Sequence, residues 1–154
     1  MQPFETFGKK SFPPRDGELY LSAKVDRTVF IIGEEIKIHL NCNNFSPKTV
    51  YSLKIYLRMT EDHYRFSVSK DKTNCTREVK KINPVIFTAG SVFPLQKGLK
   101  FRGDAFYPLN WVGGLLPTKR DQGVVIREYE LVVSAVFKKA QNMRIQIPIN
   151  LKEN

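Results

Sequence analysis

Apolar residues recur at every second position in several stretches of the chain, and this alternation predicts β-strands. Residues 19–25 are apolar at each odd position, and residues 36–42 are apolar at each even position. Successive side chains of a strand point to opposite faces, so each stretch would bury one face and expose the other. The same alternation predicts strands at residues 51–59, 95–102 and 145–151, and apolar residues on both faces predict a central strand at residues 124–137.

The segments between these strands are typical of turns, and no stretch has a sustained helical period. Gly33-Glu34-Glu35 predicts a tight corner, residues 43–47 a turn, and residues 138–142 a hairpin. Residues 103–123 have no period and predict a long connection between two sheets. The fold class is therefore all-β, an immunoglobulin-like antiparallel β-sandwich of seven to nine strands.

One domain accounts for this pattern. We assign residues 18–152 to the sandwich and interpret residues 1–17, which contain three prolines and two glycines, as a linker or arm. Thr76–Lys81 has little apolar content and predicts an exposed edge strand, which Pro84 would limit.

Composition restricts the classes of function. No apolar run reaches the roughly 18–20 residues that span a bilayer, and residues 1–17 lack the apolar core of a secretory signal. We therefore expect a cytoplasmic protein with two free thiols, although Cys42 and Cys75 could form one bridge. The net charge of +10 favours acidic partners, while excess lysine can equally keep a sandwich soluble.

The chain lacks sequence motifs for catalysis or cofactor binding. It has no nucleophile elbow, no phosphate-binding glycine loop and no C-x-x-C pair. His39 and Cys42 are an odd number of positions apart and should point to opposite faces of their strand. Neither His39 nor His63 has a partner at metal-ligand spacing, so we expect no metal. Because the motifs are missing, we also expect no enzyme activity and no cofactor.

Three segments, in order, resemble the C-terminal domain of arrestins, most closely the α-arrestin (arrestin-domain-containing) branch. They are LSAKVDRTVFIIGEEIKIHLNCNNFSPKTV at residues 21–50, VVIREYELVVSAVF at 124–137 and IQIPINL at 145–151, with Leu116-Pro117-Thr118 before the second. Two departures are Arg120–Gly123, where the family often has a cysteine, and a longer, more aromatic segment at residues 103–116. A full arrestin has two such sandwiches, so the resemblance implies an excised C-terminal domain, which we favour, or a one-domain relative.

The resemblance implies a non-enzymatic adaptor that links membrane receptors or transporters to endocytic trafficking and ubiquitination machinery. It implies a protein at the cytoplasmic face of the plasma membrane or endosomes. The Pro-Pro-x-Tyr motifs by which α-arrestins recruit ubiquitin ligases are absent from these residues, so a ligase would bind through segments outside this chain.

Candidate contact residues follow from charge and from the predicted edge. Basic residues at a hairpin tip and on exposed strands are candidate contacts for anionic lipid or phosphate: Lys138, Lys139, Lys100, Arg102, Lys80 and Lys81. The edge strand could pair with a partner peptide or with a second copy in a weak homodimer, through Thr76, Arg77, Glu78 and Val79. For each of the six basic residues, solvation alone is the simpler interpretation.

Two other functions remain open. A basic sandwich could bind anionic lipid or nucleic acid without being an adaptor; Tyr56 between Lys54 and Arg58 is the one convincing aromatic–basic face for single strands. We nevertheless expect no specific nucleic-acid partner. An immunoglobulin-like adhesion module is disfavoured because Trp111 follows both cysteines.

Overall fold

The computed structural model describes residues 3–67, 72–109, 115–119 and 125–153. The described residues form nine strands and one short 3-10 turn at Ala89–Ser91. The strands are β1 (Phe4–Phe12), β2 (Arg15–Val25), β3 (Val29–Ile31), β4 (Glu35–Asn44), β5 (Val50–Ser67), β6 (Lys72–Phe87), β7 (Leu99–Pro108), β8 (Val125–Phe137) and β9 (Met143–Lys152). The described residues contain no helix that is long and apolar enough to cross a membrane.

Two sheets pack face to face, which confirms the predicted all-β sandwich. One sheet has the order β1-β2-β4-β7 and the other the order β3-β9-β8-β5-β6. All pairs are antiparallel except the short β3, which runs parallel to β9. The chain crosses between the sheets after β7, as the sequence predicted for the long connection.

The core lies between the inner faces that the alternation predicted. The inward residues of β2 and β4 have exposed fractions of 2% or less, and the central strand β8 is buried on both faces from Leu131 to Ala135. The closing residues come from β9, whose residues Ile145, Ile147, Ile149 and Leu151 are all buried. This burial of alternate apolar side chains supplies the main stabilising free energy of the sandwich.

The corner and the turn at the two ends of β4 are built from polar side chains. Gly33 has a φ of 108°, and Glu34 accepts hydrogen bonds from the guanidinium of Arg27 (2.5 Å) and from the backbone N–H of Ile31 (2.6 Å). Arg27 thereby lowers the pKa of Glu34. In the turn, the fully buried Asn44 donates to the carbonyls of Lys48 and Leu95 (both 2.8 Å). These side chains replace backbone partners that a turn lacks.

The interpretation of residues 1–17 as a linker or arm is wrong for β1, which is an edge strand paired with β2. Its inward positions include Thr6, Gly8 and Lys10, so apolar alternation is almost absent from its sequence. Gly8 explains why a strand fits there. A Cβ at this position would lie 2.7 Å from the terminal methyl carbon (Cε) of Met143 and 3.0 Å from Cγ2 of Ile145.

Three boundaries also differ from the predicted ones. Gly103–Pro108 belongs to β7 rather than to a connection, because it pairs with β4 along its whole length. β7 starts at Leu99 rather than at residue 95, because residues 91–98 form the end of the 3-10 turn and the loop after it. Pro84 lies within β6, at an edge where no N–H is needed for a ladder bond. Trp111, Gly113 and residues 120–124 lie outside the described residues.

Candidate functional site

A groove of about 220 Å³ lies on the outer face of the five-stranded sheet. Lys54 of β5, Ser134 of β8 and Arg144 of β9 are direct neighbours across three strands. Lys81 of β6 and Tyr56 of β5 line the groove beside them, and Gln141 and Asn142 of the β8–β9 hairpin complete it. Alternation places these polar residues outward because their strand neighbours fill the core.

The charges in this groove are all positive. Lys54, Lys81 and Arg144 line it, and none of the other described residues that line it is a carboxylate. None of the three forms an ion pair with any residue that the structure describes. Arg58, the next basic residue on β5, is instead paired with Glu130. The groove therefore concentrates positive potential where an anion could enter.

Tyr56 has an unusual environment for a residue on an outer face. Its side chain is only 1% exposed, and its hydroxyl has no hydrogen-bond partner among the described residues. The ammonium of Lys81 lies 5.1 Å from the centre of its ring. A buried polar group without a partner is costly, and such groups are found where a ligand or water completes them. The hydroxyl itself is buried, so the three unpaired cations around the ring are what make the groove suited to a phosphate or carboxylate group.

The structure corrects two sequence predictions about tyrosines of β5, Tyr56 and Tyr51. It was expected on the exposed face with Lys54 and Arg58, where bases could stack on its ring, but a buried ring offers no such platform. The alternation predicted Tyr51 on the core-facing side of β5, yet it is 41% exposed while its neighbour Val50 is fully buried. A register shift between Val50 and Ser52 interrupts the alternation at Tyr51.

The predicted basic contacts are dispersed over the molecule. Lys138 and Lys139 are exposed in the hairpin that leads into the groove, and Lys81 lines it. Lys80 points to the other face of β6 and lies 3.2 Å from Glu78. Lys100 and Arg102 lie on the outer face of the four-stranded sheet, on the opposite side of the sandwich.

The sequence analysis did not name Arg144 as a candidate contact, and it named Lys54 only beside Tyr56 on a possible nucleic-acid face. Their neighbourhood depends on the order β9-β8-β5, which pattern alone does not specify. The available signal was that both occupy outward positions of predicted strands.

The predicted edge strand is confirmed in position. Thr76–Val79 lies in β6, the last strand of its sheet, and all four residues are exposed. Arg77 forms a two-point ion pair with Asp62 of β5, with N–O distances of 2.7 and 3.0 Å. This pair lowers the pKa of Asp62. The other edge of β6 pairs with no strand in the described part of the chain, so it could accept a further strand.

Arg127 pairs across strands rather than with its neighbour Glu128. Its Nε lies 2.6 Å from Glu61 of β5, and its guanidinium also donates to the carbonyl of Pro117 (3.0 Å). The buried Tyr129 donates its hydroxyl to the carbonyl of Leu116 (2.5 Å), and burial raises the pKa of Tyr129 to about 12. These bonds attach residues 115–119 to the end of the sandwich.

A second, larger groove of about 490 Å³ lies on the outer face of the four-stranded sheet, and its charges are balanced. Lys24 and Arg102 line it together with Glu5 and Asp104. His39 lies within it, with Asp104 2.7 Å from Nδ1 and Asp26 3.4 Å from Nε2.

His39 and Cys42 point to opposite faces of β4, as predicted. Cys42 is fully buried, and burial raises the pKa of its thiol to about 12. A thiol with this pKa does not act as a nucleophile at neutral pH.

Metal-ligating side chains converge at one place among the described residues. Glu61, His63 and Glu78 each offer a donor atom, and the three atoms lie within 4.8 Å of one another. The sequence analysis missed this cluster because Glu78 reaches it across the β5–β6 register.

Comparisons with known proteins agree with this architecture. The sequence profile of the family described as Arrestin (or S-antigen), C-terminal domain, matches residues 15–154, so β1 precedes the matched part. Arrestin domain-containing protein E of Dictyostelium discoideum is 27% identical over 144 residues, which cover 92% of this chain and 25% of that protein. Arrestin red cell isoforms 1 and 3 of Oncorhynchus mykiss are 36% identical over 63 residues, 41% of this chain and 16% and 15% of those proteins. The chain thus spans about a quarter or less of these relatives.

Proposed function

The chain belongs to the arrestin family as a C-terminal arrestin domain, and from this membership we propose that it is a non-enzymatic adaptor domain. It links membrane receptors or transporters to endocytic trafficking and ubiquitination machinery, from the cytoplasmic face of the plasma membrane or endosomes. The relatives named above carry arrestin domains in longer proteins, which supports an interaction module within a larger chain.

The observation that carries the membrane part of this proposal is the unpaired positive charge around Tyr56. Lys54, Lys81 and Arg144 present three cations, and none of the described residues that line the groove is a carboxylate. Each basic residue near an anionic bilayer contributes about 1 kcal/mol. Three such residues would strengthen binding by roughly 3 kcal/mol, which is about a hundredfold in affinity. Lys138 and Lys139 add positive charge in the β8–β9 hairpin, whose residues Gln141 and Asn142 line the groove.

The open edge of β6 supports the partner part of the proposal. An extended tail of a receptor or transporter could pair with Thr76–Val79 through backbone hydrogen bonds, and a second copy could use the same edge. Ubiquitin ligases would bind through segments outside this chain.

The test compares two charge reversals on opposite sides of the sandwich. The double variant Lys54→Glu/Arg144→Glu should lose most of its co-sedimentation with vesicles that contain phosphatidylserine or a phosphoinositide. The matched control Lys100→Glu/Arg102→Glu changes the net charge equally but leaves the groove intact, and it should keep most of the binding. Vesicles of phosphatidylcholine alone should bind none of the proteins.

Two outcomes would contradict the proposal. Equal losses in both double variants would mean that net charge, and not this groove, drives binding. Binding of the unaltered protein to a labelled oligonucleotide more tightly than to anionic vesicles at physiological salt would favour the nucleic-acid alternative. Fluorescent fusions in cells extend the test, because only the groove variant should leave the plasma membrane and endosomes.

A further inference from the structure

We propose that Glu61, His63 and Glu78 form a binding site for a divalent metal ion of the zinc class, at the end of the sandwich where β5 and β6 extend together. Glu61 and Glu78 are direct partners across the two strands, and His63 lies two residues beyond Glu61 on the same face. The site is separate from the basic groove, which lies on the other face of this sheet.

The spacing of the donor atoms fits a small ion. Nε2 of His63 lies 3.5 Å from Oε1 of Glu61. Zinc binds imidazole nitrogen and carboxylate oxygen at about 2.0–2.2 Å in tetrahedral geometry, which places two ligands roughly 3.3–3.5 Å apart. The His63–Glu61 pair therefore already has the separation of two ligands. Glu78 has a donor atom within 4.8 Å of both, so a small side-chain movement would bring it to the same ion.

Glu61 is held in the orientation that a ligand requires. Its Oε2 accepts a hydrogen bond from Arg127, which is itself anchored to the carbonyl of Pro117. Both side chains are only 12–13% exposed. This arrangement directs Oε1 toward His63, and such hydrogen bonds to a ligating carboxylate are typical of metal sites.

The charges across the strands provide a second, independent argument. Glu61 and Glu78 are like charges directly opposite each other, a pairing that destabilises a sheet. Arg127 compensates Glu61, whereas the one cation paired with Glu78 among the described residues is the exposed Lys80, 3.2 Å from Oε1. An exposed ion pair contributes little. A cation between the two carboxylates would remove their repulsion.

The ligand types indicate zinc rather than magnesium or calcium. One imidazole and two carboxylates form a mixed nitrogen and oxygen set, whereas magnesium and calcium prefer oxygen alone. Three protein ligands also leave a fourth position for water or for a side chain of a bound partner. Zinc at this position would join the edge strand β6 to β5.

His39 provides a natural control because it also has two carboxylate neighbours. Asp104 faces its Nδ1 and Asp26 faces its Nε2. One ion cannot bind both ring nitrogens, so these three residues cannot act as a single site. The chain has only these two histidines, and each can be followed separately.

The experiment is a zinc titration of the protein with Cys75→Ser, which removes the exposed thiol as a competing ligand. Calorimetry should give one ion per chain, and NMR should show the imidazole signals of His63 shifting while those of His39 stay fixed. His63→Gln and Glu78→Gln should each weaken the affinity at least tenfold, whereas His39→Gln should not change it. Magnesium at the same concentration should leave the His63 signals unchanged.

Equal shifts of both histidines, or unchanged affinity in His63→Gln, would overturn the site. The variant residues lie at or near the surface, and circular dichroism of the metal-free proteins would verify that each is folded. Zinc should also raise the melting temperature of the Cys75→Ser protein but not that of its His63→Gln derivative.

Discussion

Two buried tyrosine hydroxyls of the sandwich differ in their hydrogen bonds. Tyr107 of β7 reaches the other sheet, where its hydroxyl donates to the carbonyl of Ile82 (2.7 Å) and accepts from the N–H of Leu57 (3.2 Å). These backbone groups flank the register shift between β5 and β6, where the regular ladder is interrupted. Tyr56, by contrast, has no partner for its hydroxyl among the described residues.

Replacing each tyrosine by phenylalanine should therefore have different effects on stability. Tyr107→Phe leaves a buried N–H and a buried carbonyl unpaired and should lower the free energy of unfolding by about 2–3 kcal/mol. Tyr56→Phe removes a desolvated, unpaired hydroxyl and should be neutral or stabilising by up to about 1 kcal/mol. Urea unfolding of both variants measures the difference, and equal losses would contradict this account.

For single residues, the sequence predicted the face of a strand on which a side chain lies better than the residues that surround it. It correctly predicted that His39 and Cys42 diverge and that Lys138 and Lys139 are exposed, because alternation determines the face of a strand. It could not predict that Lys54 and Arg144 flank Ser134, or that Glu78 faces Glu61. Those contacts depend on strand order and register.

Among the elements, β1 differs most from the sequence interpretation. Its inward face has few apolar side chains because it packs closely on the other sheet. Gly8 lies against Met143 of β9, and the Phe12 ring lies 5.1 Å from the ring of Phe137 at the end of β8. Because apolar and polar residues do not alternate along β1, its sequence lacks the periodicity by which a strand is predicted. The strong alternation of β2, β4 and β9 was sufficient to predict their faces and their burial.

The close approach at Gly8 makes β1 sensitive to side-chain volume. Gly8→Val should lower the free energy of unfolding by about 1–3 kcal/mol, because Met143 and Ile145 fill the space that the new methyl groups need. Lys9→Val, on the outward face of the same strand, should change it by less than about 0.5 kcal/mol.

A double-variant cycle tests whether Met143 is the cause. Shortening the neighbour in Gly8→Val/Met143→Ala should cost less than the sum of the two single changes. Denaturant unfolding of the four proteins gives the coupling free energy. Strict additivity would show that the clash with Met143 does not explain the effect of Gly8→Val.

On the scale of the whole molecule, the two outer faces have different charge arrangements despite the overall net charge of +10. The four-stranded sheet carries a groove that is lined by both cations and carboxylates, with His39 between two aspartates. The five-stranded sheet carries a groove whose charged residues, in the part of the chain that the structure describes, are all cations. Net charge computed from the sequence does not reveal this asymmetry, because it depends on which residues form ion pairs in the folded chain.

The core also couples the stability of the whole domain to alkaline pH. Burial raises the pKa of the Cys42 thiol from 9.0 to about 12, and those of Tyr107 and Tyr129 from 10.0 to about 12. Because these pKa values are higher in the folded state, the unfolded chain releases its protons first as the pH rises. The stabilisation is complete below about pH 9 and is lost between about pH 9 and pH 12.

The free energy of unfolding should therefore decrease steeply over this range, and urea midpoints measured at half-unit steps from pH 8 to 11.5 would record it. Cys42→Ala removes one of the three groups, so its curve should start lower, because a buried side chain is shortened, but fall roughly a third less steeply. Parallel curves for the two proteins would show that Cys42 is not one of the groups that titrate on unfolding. A curve that stays level up to pH 11.5 would show that the burial of these three groups does not control alkaline unfolding.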